Sequence, residues 1–467
     1  MSSPNEEGAM SLHCSRSKTN PKTRPTVLPA RRARRTSALL SGALAASMAA
    51  LTAGAGTAGA TLRPASGAKL TVADVAPFSG PDAALGPTYL VACDAATNAI
   101  DRAGGVLGHD LNCKSVDTRG DPADAVPAVR QMYASTSNLA LVIGLTSDEA
   151  ASVVPIINAN KTVMFAMTGQ SEFDHVHFPY FYRLVPPDVS EAYADMAIAK
   201  YYLHDKRIGL AFGNDIGSQA FVKPAIQSSH KAGLKVVENE TLDLTATTFR
   251  TEAQRVVAAK PQAIFTEALG PTDATFLSEV RQENHGKMIP VIGTSATISP
   301  AWFKAVAAAV GATTLASNFV ADNLVTLTSG PAYTSFAKAM FAEKGKVGNT
   351  GDFSTYLSAP GAVHLYDGIN LAALAMVESK STTGSVYRND IEAIGDGGPG
   401  AVTVHTFAQG VRELKAGKKI RYVGPGGPSN FDSFHDSPGI FQIDKYSAKG
   451  QVLVVKNIPI SEIRALS

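Results

Sequence analysis

The amino-acid sequence predicts an α/β protein made of two doubly wound, parallel-sheet lobes, and three observations carry this. Short runs such as residues 139–143, Leu-Ala-Leu-Val-Ile, are apolar at every position, which suits strands buried on both faces. They alternate with segments of helical period, the arrangement of βα units. After Pro186-Pro187-Asp188 the alternation starts afresh.

Residues 70–76 form the first expected strand and lead into a turn that runs from Pro77 to Asp82. The helix expected over 86–103 places Tyr89, Cys93, Ala96, Ile100 and Ala103 on one face, and Gly104-Gly105 ends it. A second strand, 109–116, and a polar turn, 117–122, lead to a helix that reaches about residue 135. Gly144 stops the third strand. The residues that follow it, Leu145-Thr146-Ser147-Asp148-Glu149, carry hydroxyls and carboxylates into a helix with Val153, Val154, Ile156 and Ile157. A fourth strand, 162–167, ends in Thr168-Gly169-Gln170-Ser171. Two neighbouring parallel strands thus release polar loops at one sheet edge, where open α/β sheets hold ligands.

The second lobe reads as helix 190–203, strand 207–212, turn 214–217, helix 218–232, strand 235–240, helix 249–259, strand 263–266, helix 272–284 and strand 288–292. Residues 315–321 read as a strand leading back to the first lobe, which gains helices 336–344 and 359–378. The Gly/Pro stretch 424–428 reads as another crossover, before a closing hairpin of 439–443 with 451–456.

The chain has 467 residues, 45% hydrophobic and 18% charged, enough for two or three domains with large cores. Its 42 basic and 40 acidic residues nearly balance, and the basic excess lies before residue 36, so the folded part offers no nucleic-acid surface. Residues 1–60 read as an export leader: the basic run Arg31-Arg32-Ala33-Arg34-Arg35, an apolar Ala-rich stretch, then Ala58-Gly59-Ala60 as the cleavage site. The apolar stretch is too short and too rich in Gly and Ala for a membrane span. No cysteine follows it closely to take a lipid. Of the three cysteines, Cys14 falls in the leader, which leaves Cys93 and Cys113 to pair in an exported protein.

No catalytic motif survives inspection. Gly104-Gly105-Val106-Leu107-Gly108 follows a helix and precedes a strand, the reverse of a phosphate-binding loop. Gly293-Thr294-Ser295-Ala296-Thr297 lacks the final glycine of a nucleophile elbow. Asp174-His175-Val176-His177 reads as a solvated loop, and the scattered histidines have no zinc spacing. Binding is therefore favoured over catalysis, with no cofactor and no metal.

Phe78-Ser79-Gly80-Pro81 with Gly86, Ala103-Gly104-Gly105-Val106-Leu107-Gly108, Asp117-Thr118 and Asp121-Pro122 stand in a particular order. Gly144, Tyr182-Arg183, the Asp215–Gly217 turn and Tyr422-Val423-Gly424-Pro425-Gly426-Gly427-Pro428 with Phe431-Asp432 continue it. In this order and spacing, over about residues 69–460, the sequence resembles the leucine/isoleucine/valine-binding family, the type I periplasmic binding proteins of ABC transporters. The resemblance implies two lobes joined by three hinge crossovers, dividing as 69–187 plus 322–424 and 188–321 plus 425–467. It also implies a monomer that closes over a small polar solute, an amino acid or analogue, and delivers it to a membrane permease. A sensor with the same fold and no transport role is the other reading.

The family's hydroxyl contact falls on Ser147 or Asp148, and its small-residue and hydroxyl contacts fall on Gly169 and Ser171. Its aromatic contact falls near Leu269, and its acidic partner for the ligand ammonium falls on Ser295. Glu267 stands where it can supply that charge from a shifted position. The expected ligand set is Phe78, Ser147, Asp148, Thr168, Gly169, Ser171, Glu267, Leu269 and Ser295.

Overall fold

The apolar runs of the first lobe assemble as β1 (Leu70–Ala76), β2 (Leu111–Asp117), β3 (Leu139–Thr146), β4 (Met164–Met167) and β5 (Phe181–Arg183). All are parallel, in the order β2-β1-β3-β4-β5. The computed structural model describes residues 66–346 and 353–467, so the leader, its cleavage site and Cys14 lie outside the described residues. Every residue of β1 is buried, the reason its sequence shows no polar alternation.

In the second lobe β6 (Arg207–Gly213), β7 (Lys235–Leu242), β8 (Ala263–Glu267), β9 (Val291–Gly293) and β10 (Phe319–Leu324) form the parallel order β7-β6-β8-β9-β10. The strand expected over 315–321 is displaced. Residues Ala312–Asn318 are a short helix that buries Leu315, and β10 begins only at Phe319. Gly311, at φ 91°, separates this helix from the preceding one, Pro300–Val310, and the small residues after it favour another helical turn over extension.

The chain then returns to the first lobe. The helix Pro360–Ser379 is buried from Pro360 to Met376, which explains why apolar residues recur on all its sides, with only His364, Asp367 and Asn370 polar among the larger side chains. Beside it lies a small sheet that sequence reading missed, β11 (Val402–Val404), β12 (Ile420–Gly424) and β13 (Gly427–Pro428). The Gly/Pro stretch expected as a crossover is the hairpin between β12 and β13, where Gly427 takes φ 84°. Asp367 holds it from below, accepting the Tyr422 hydroxyl at 2.9 Å and the Gly426 N–H at 2.8 Å. The hairpin β14 (Phe441–Tyr446) and β15 (Val452–Asn457) then extends the second sheet antiparallel beside β10.

One core fills the first lobe and takes in Phe431, whereas the second sheet has a core on each face, one of which includes Leu324. The division expected at 322 thus falls within β10, and the one expected after 424 falls at the end of β12, in the turn of the β12–β13 hairpin.

Cys93, wholly buried on the inward face of the helix Gly86–Arg102, is disulfide-bonded to Cys113 on β2, with 6.0 Å between their Cα atoms. Thiol titration of the unfolded, unreduced chain from Thr61 onward should find no free thiol. Replacing both cysteines by serine should cost about 3 kcal/mol, since the bond closes a loop of 20 residues. Two titratable thiols would refute the bond.

Candidate functional site

In the first sheet the winding reverses between β1 and β3, and in the second between β6 and β8, so each sheet has a crevice at the carboxyl ends of those strands. The loops leaving those ends wall one cavity of about 320 Å³. From the first lobe come Asp82, Thr146 to Asp148 and Gly169; from the second come Asp215, Glu267 to Pro271 and Ser295. Asp188 and Glu191, from the helix Asp188–Ala197, complete the wall together with an apolar side that includes Leu85, Tyr89, Phe221 and Trp302.

Local backbone chemistry sets this edge. Gly144 adopts φ 95° and Leu145 φ 54°, where the register of β3 against β4 shifts, and a Cβ on Gly144 would collide with the Val75 carbonyl oxygen. The strand thereby turns into the helix Ser147–Ala159. Glu149, fully buried, closes its first turn: Oε1 accepts the Thr146 N–H at 2.8 Å and Oε2 accepts the Thr146 hydroxyl at 2.6 Å. These donors are no longer free for an anionic ligand.

Asp148 reaches across the cleft, and its Oδ1 accepts the N–H of Gly217 at 3.0 Å, at the start of the helix Ile216–Ala232. Opposite, Glu191 Oε1 accepts the Ser295 N–H at 2.9 Å, and Glu267 accepts the Thr294 hydroxyl. Asp273 lies behind the cavity, accepting from Trp302 Nε1 at 2.9 Å and from the Thr266 hydroxyl at 2.8 Å, which fixes the indole in the wall.

Six of the lining side chains are carboxylates, Asp82, Asp148, Asp188, Glu191, Asp215 and Glu267, and none is lysine, arginine or histidine. Burial raises the proton affinity of Asp82, Asp148, Asp188, Glu191 and Glu267, and repulsion from neighbouring carboxylates adds to it at all of these but Glu191. Burial and then the charges of Asp148 and Asp215 push Asp82 up to about 7; burial and Asp215 push Asp148 up to about 6. Asp188 and Glu267 also rise well above the ordinary range, chiefly through burial. Arg183, buried and paired with Asp436 and Asp174, does not line the cavity, although its charge offsets part of the rise at Asp188.

Of the residues expected to hold ligand, Ser147, Asp148, Gly169, Glu267, Leu269 and Ser295 line the cavity. Three do not. Phe78 packs half-buried against the core of the first lobe, and its N–H donates to Asp117 at 2.9 Å. Thr168 is fully buried behind the wall, its hydroxyl 3.0 Å from that of Ser147. Ser171 is exposed at the start of a short 3-10 turn, Ser171–Phe173, off the cavity. Arg183 grips the Gln170 carbonyl at 3.1 Å and Asp174 at 2.8 Å, drawing this loop down onto the first lobe. His175 and His177 are exposed and pack on Phe434.

Sequence reading missed Asp82, Asp188, Glu191, Asp215 and Trp302. Asp82 and Asp215 sit in turns that follow β1 and β6, so the strand-end rule already pointed to them. Asp188, Glu191 and Trp302 enter only because helices fold back over the cleft.

The chain matches the periplasmic binding protein family over residues 69–431. It belongs to that family, whose solved relatives are binding proteins rather than enzymes. A curated relative, the Leu/Ile/Val-binding protein BraC3 of Rhizobium johnstonii, is 24% identical over 203 residues, 41% of this chain and 54% of that protein. The chain spans about half or less of the length of the curated relatives it matches. Among solved structures, the branched-chain amino acid substrate-binding protein LivJ of Streptococcus pneumoniae, in complex with isoleucine, superposes with a TM-score of 0.64 at 16% identity, covering 83% of this chain and 99% of that one. A solute-binding protein of an ABC transporter from R. palustris, in complex with benzoate, gives 0.64 at 14% identity, covering 83% and 96%. These likenesses describe the fold.

Proposed function

We propose that the protein is an extracytoplasmic solute-binding protein, which captures a small polar organic solute between two closing lobes and delivers it to an ABC permease. The observation that carries this reading is the cavity itself, walled at once by the strand ends of both sheets. The leader read in the sequence supports export, and no helix among the described residues is long and apolar enough to cross a membrane. Relatives that bind isoleucine and benzoate support a small organic solute. A thermal-shift panel of amino acids, amides, aromatic acids and polyamines tests it, since a ligand at a hundred times its Kd adds about 2.7 kcal/mol to the native state. The shift should vanish in Ala305→Trp, which fills the cavity wall. A shift that persists in that variant would place the ligand elsewhere.

Closure in this reading uses the bond from Asp148 to Gly217. A hydrogen bond to a charged acceptor contributes about 1.5–3 kcal/mol. Asp148→Ala should therefore favour the open form by tenfold or more and raise the radius of gyration seen by small-angle scattering. An unchanged scattering curve would remove this contact from closure.

A further inference from the structure

Two of the six cavity carboxylates are free of any bond. Asp82 is only 4% exposed and Asp188 only 8%, both face the cavity, and neither side chain has a hydrogen bond or ion pair among the described residues. Asp215 leaves Oδ2 without a partner as well. Arg183 offsets only part of the rise at Asp188, and no cation acts on Asp82; a buried carboxylate without a full counter-charge is costly, and burying several around one space costs more through repulsion. The charge missing from this cavity is positive.

We propose that the site selects an organic amine: one or more ammonium groups on an apolar body, with no carboxylate. The proposal rests on the solute-binding reading above and names its ligand class. The carboxylates fall into two groups. Asp82, Asp148 and Asp215 come from the ends of β1, β3 and β6, while Asp188, Glu191 and Glu267 come from the helix Asp188–Ala197 and the end of β8. Between them the wall is apolar and aromatic, with Trp302, Tyr89 and Phe221 able to face both an alkyl or aryl body and a cation. A metal ion is not the cation implied, for no group of three or more His, Cys, Asp or Glu among the described residues is placed to hold one.

An α-carboxylate has no counterpart here. A ligand carboxylate entering the cavity meets six others and no side-chain cation, and the Thr146 donors at the helix start are held by Glu149. Burial and neighbouring carboxylates, Asp148 and Asp215 for Asp82 and Glu191, Asp215 and Asp188 for Glu267, raise the proton affinities of these two groups, and a positive charge among them would offset that repulsion. An ammonium would lower them and drive protons off.

Calorimetry with pairs that differ only in the carboxylate tests this directly: 3-methylbutylamine against leucine, phenethylamine against phenylalanine, and cadaverine against lysine. At least one amine should bind tenfold or more tighter than its parent amino acid and release protons on binding near neutral pH, read by comparing buffers of different ionisation enthalpy. Asp82→Asn and Asp188→Asn should each weaken that amine tenfold or more, while the unliganded melting temperature rises or holds, which separates lost binding from lost folding. If leucine or benzoate binds and every amine fails, the charge argument is overturned and the solute-binding reading stands. Silence from all probes, benzoate included, overturns both. An amine whose Kd stays within twofold in both variants also overturns the proposal.

Discussion

Arg183→Ala should destabilise the protein by about 3–5 kcal/mol, the range for breaking a buried charge pair from one side. The guanidinium is fully buried at the end of β5. Its Nε and Nη2 donate to the two Asp436 oxygens at 2.6 and 2.5 Å, Nη2 also donates to Asp174 at 2.8 Å, and Nη1 donates to the Gln170 carbonyl at 3.1 Å. Asp436 lies 253 positions along the chain, so one side chain ties β5, the loop after β4 and the segment before β14. Arg183→Lys should recover little, because an ammonium cannot reproduce the two-pronged contact with Asp436. Arg183→Met with Asp436→Asn should be less damaging than Arg183→Ala, since the almost fully buried Asp436 charge is then removed and only the more exposed Asp174 loses its partner. Urea denaturation at constant pH measures each variant, and a loss below about 1 kcal/mol for Arg183→Ala would show that the pair does little for stability.

The second large effect is on pH. Asp82 and Asp273 are pushed up to about 7, Asp148 to about 6 and Glu149 to about 8, in each case first by burial. Their folded values exceed their unfolded ones, so between about pH 4 and 8 the native state binds more protons than the unfolded chain. Stability then falls as pH rises through that window. A tenfold rise in one carboxylate's proton affinity on folding corresponds to about 1.4 kcal/mol, and repulsion among neighbouring carboxylates makes the contributions unequal. The unliganded protein should therefore melt several degrees higher at pH 5 than at pH 8. Scanning calorimetry across that range checks the sign, and a melting temperature that climbs steadily from pH 5 to 8 would contradict it. A bound cation should flatten the slope, since it favours the ionised carboxylates.

The alternation of apolar runs with helical segments, and its restart after Asp188, determined the fold class from sequence alone. A strand buried on both faces must be apolar at every position, and that signature is local. So is the position of a strand end, which pointed to Ser147, Asp148 and Gly169, while the family resemblance added Leu269 and Ser295, with Glu267 beside them; all six line the cavity. The pairing of Cys93 with Cys113 needed only chain neighbours, a helix and the strand that follows it. What the tertiary structure alone decided is where loops go once they leave the sheet. Ser171 is drawn off the cavity by Arg183, whose role depends on a partner, Asp436, far along the chain. Phe78 turns inward because an apolar ring gains more from the core of its own lobe than from a polar cleft. The charge of the site was the least legible feature. No short stretch of sequence is strongly acidic, and the six carboxylates come from separate segments that only the folding together of two sheets and one connecting helix brings to a single cavity. Long-range electrostatics depends on distances in space, and the order of residues along the chain does not encode those distances locally.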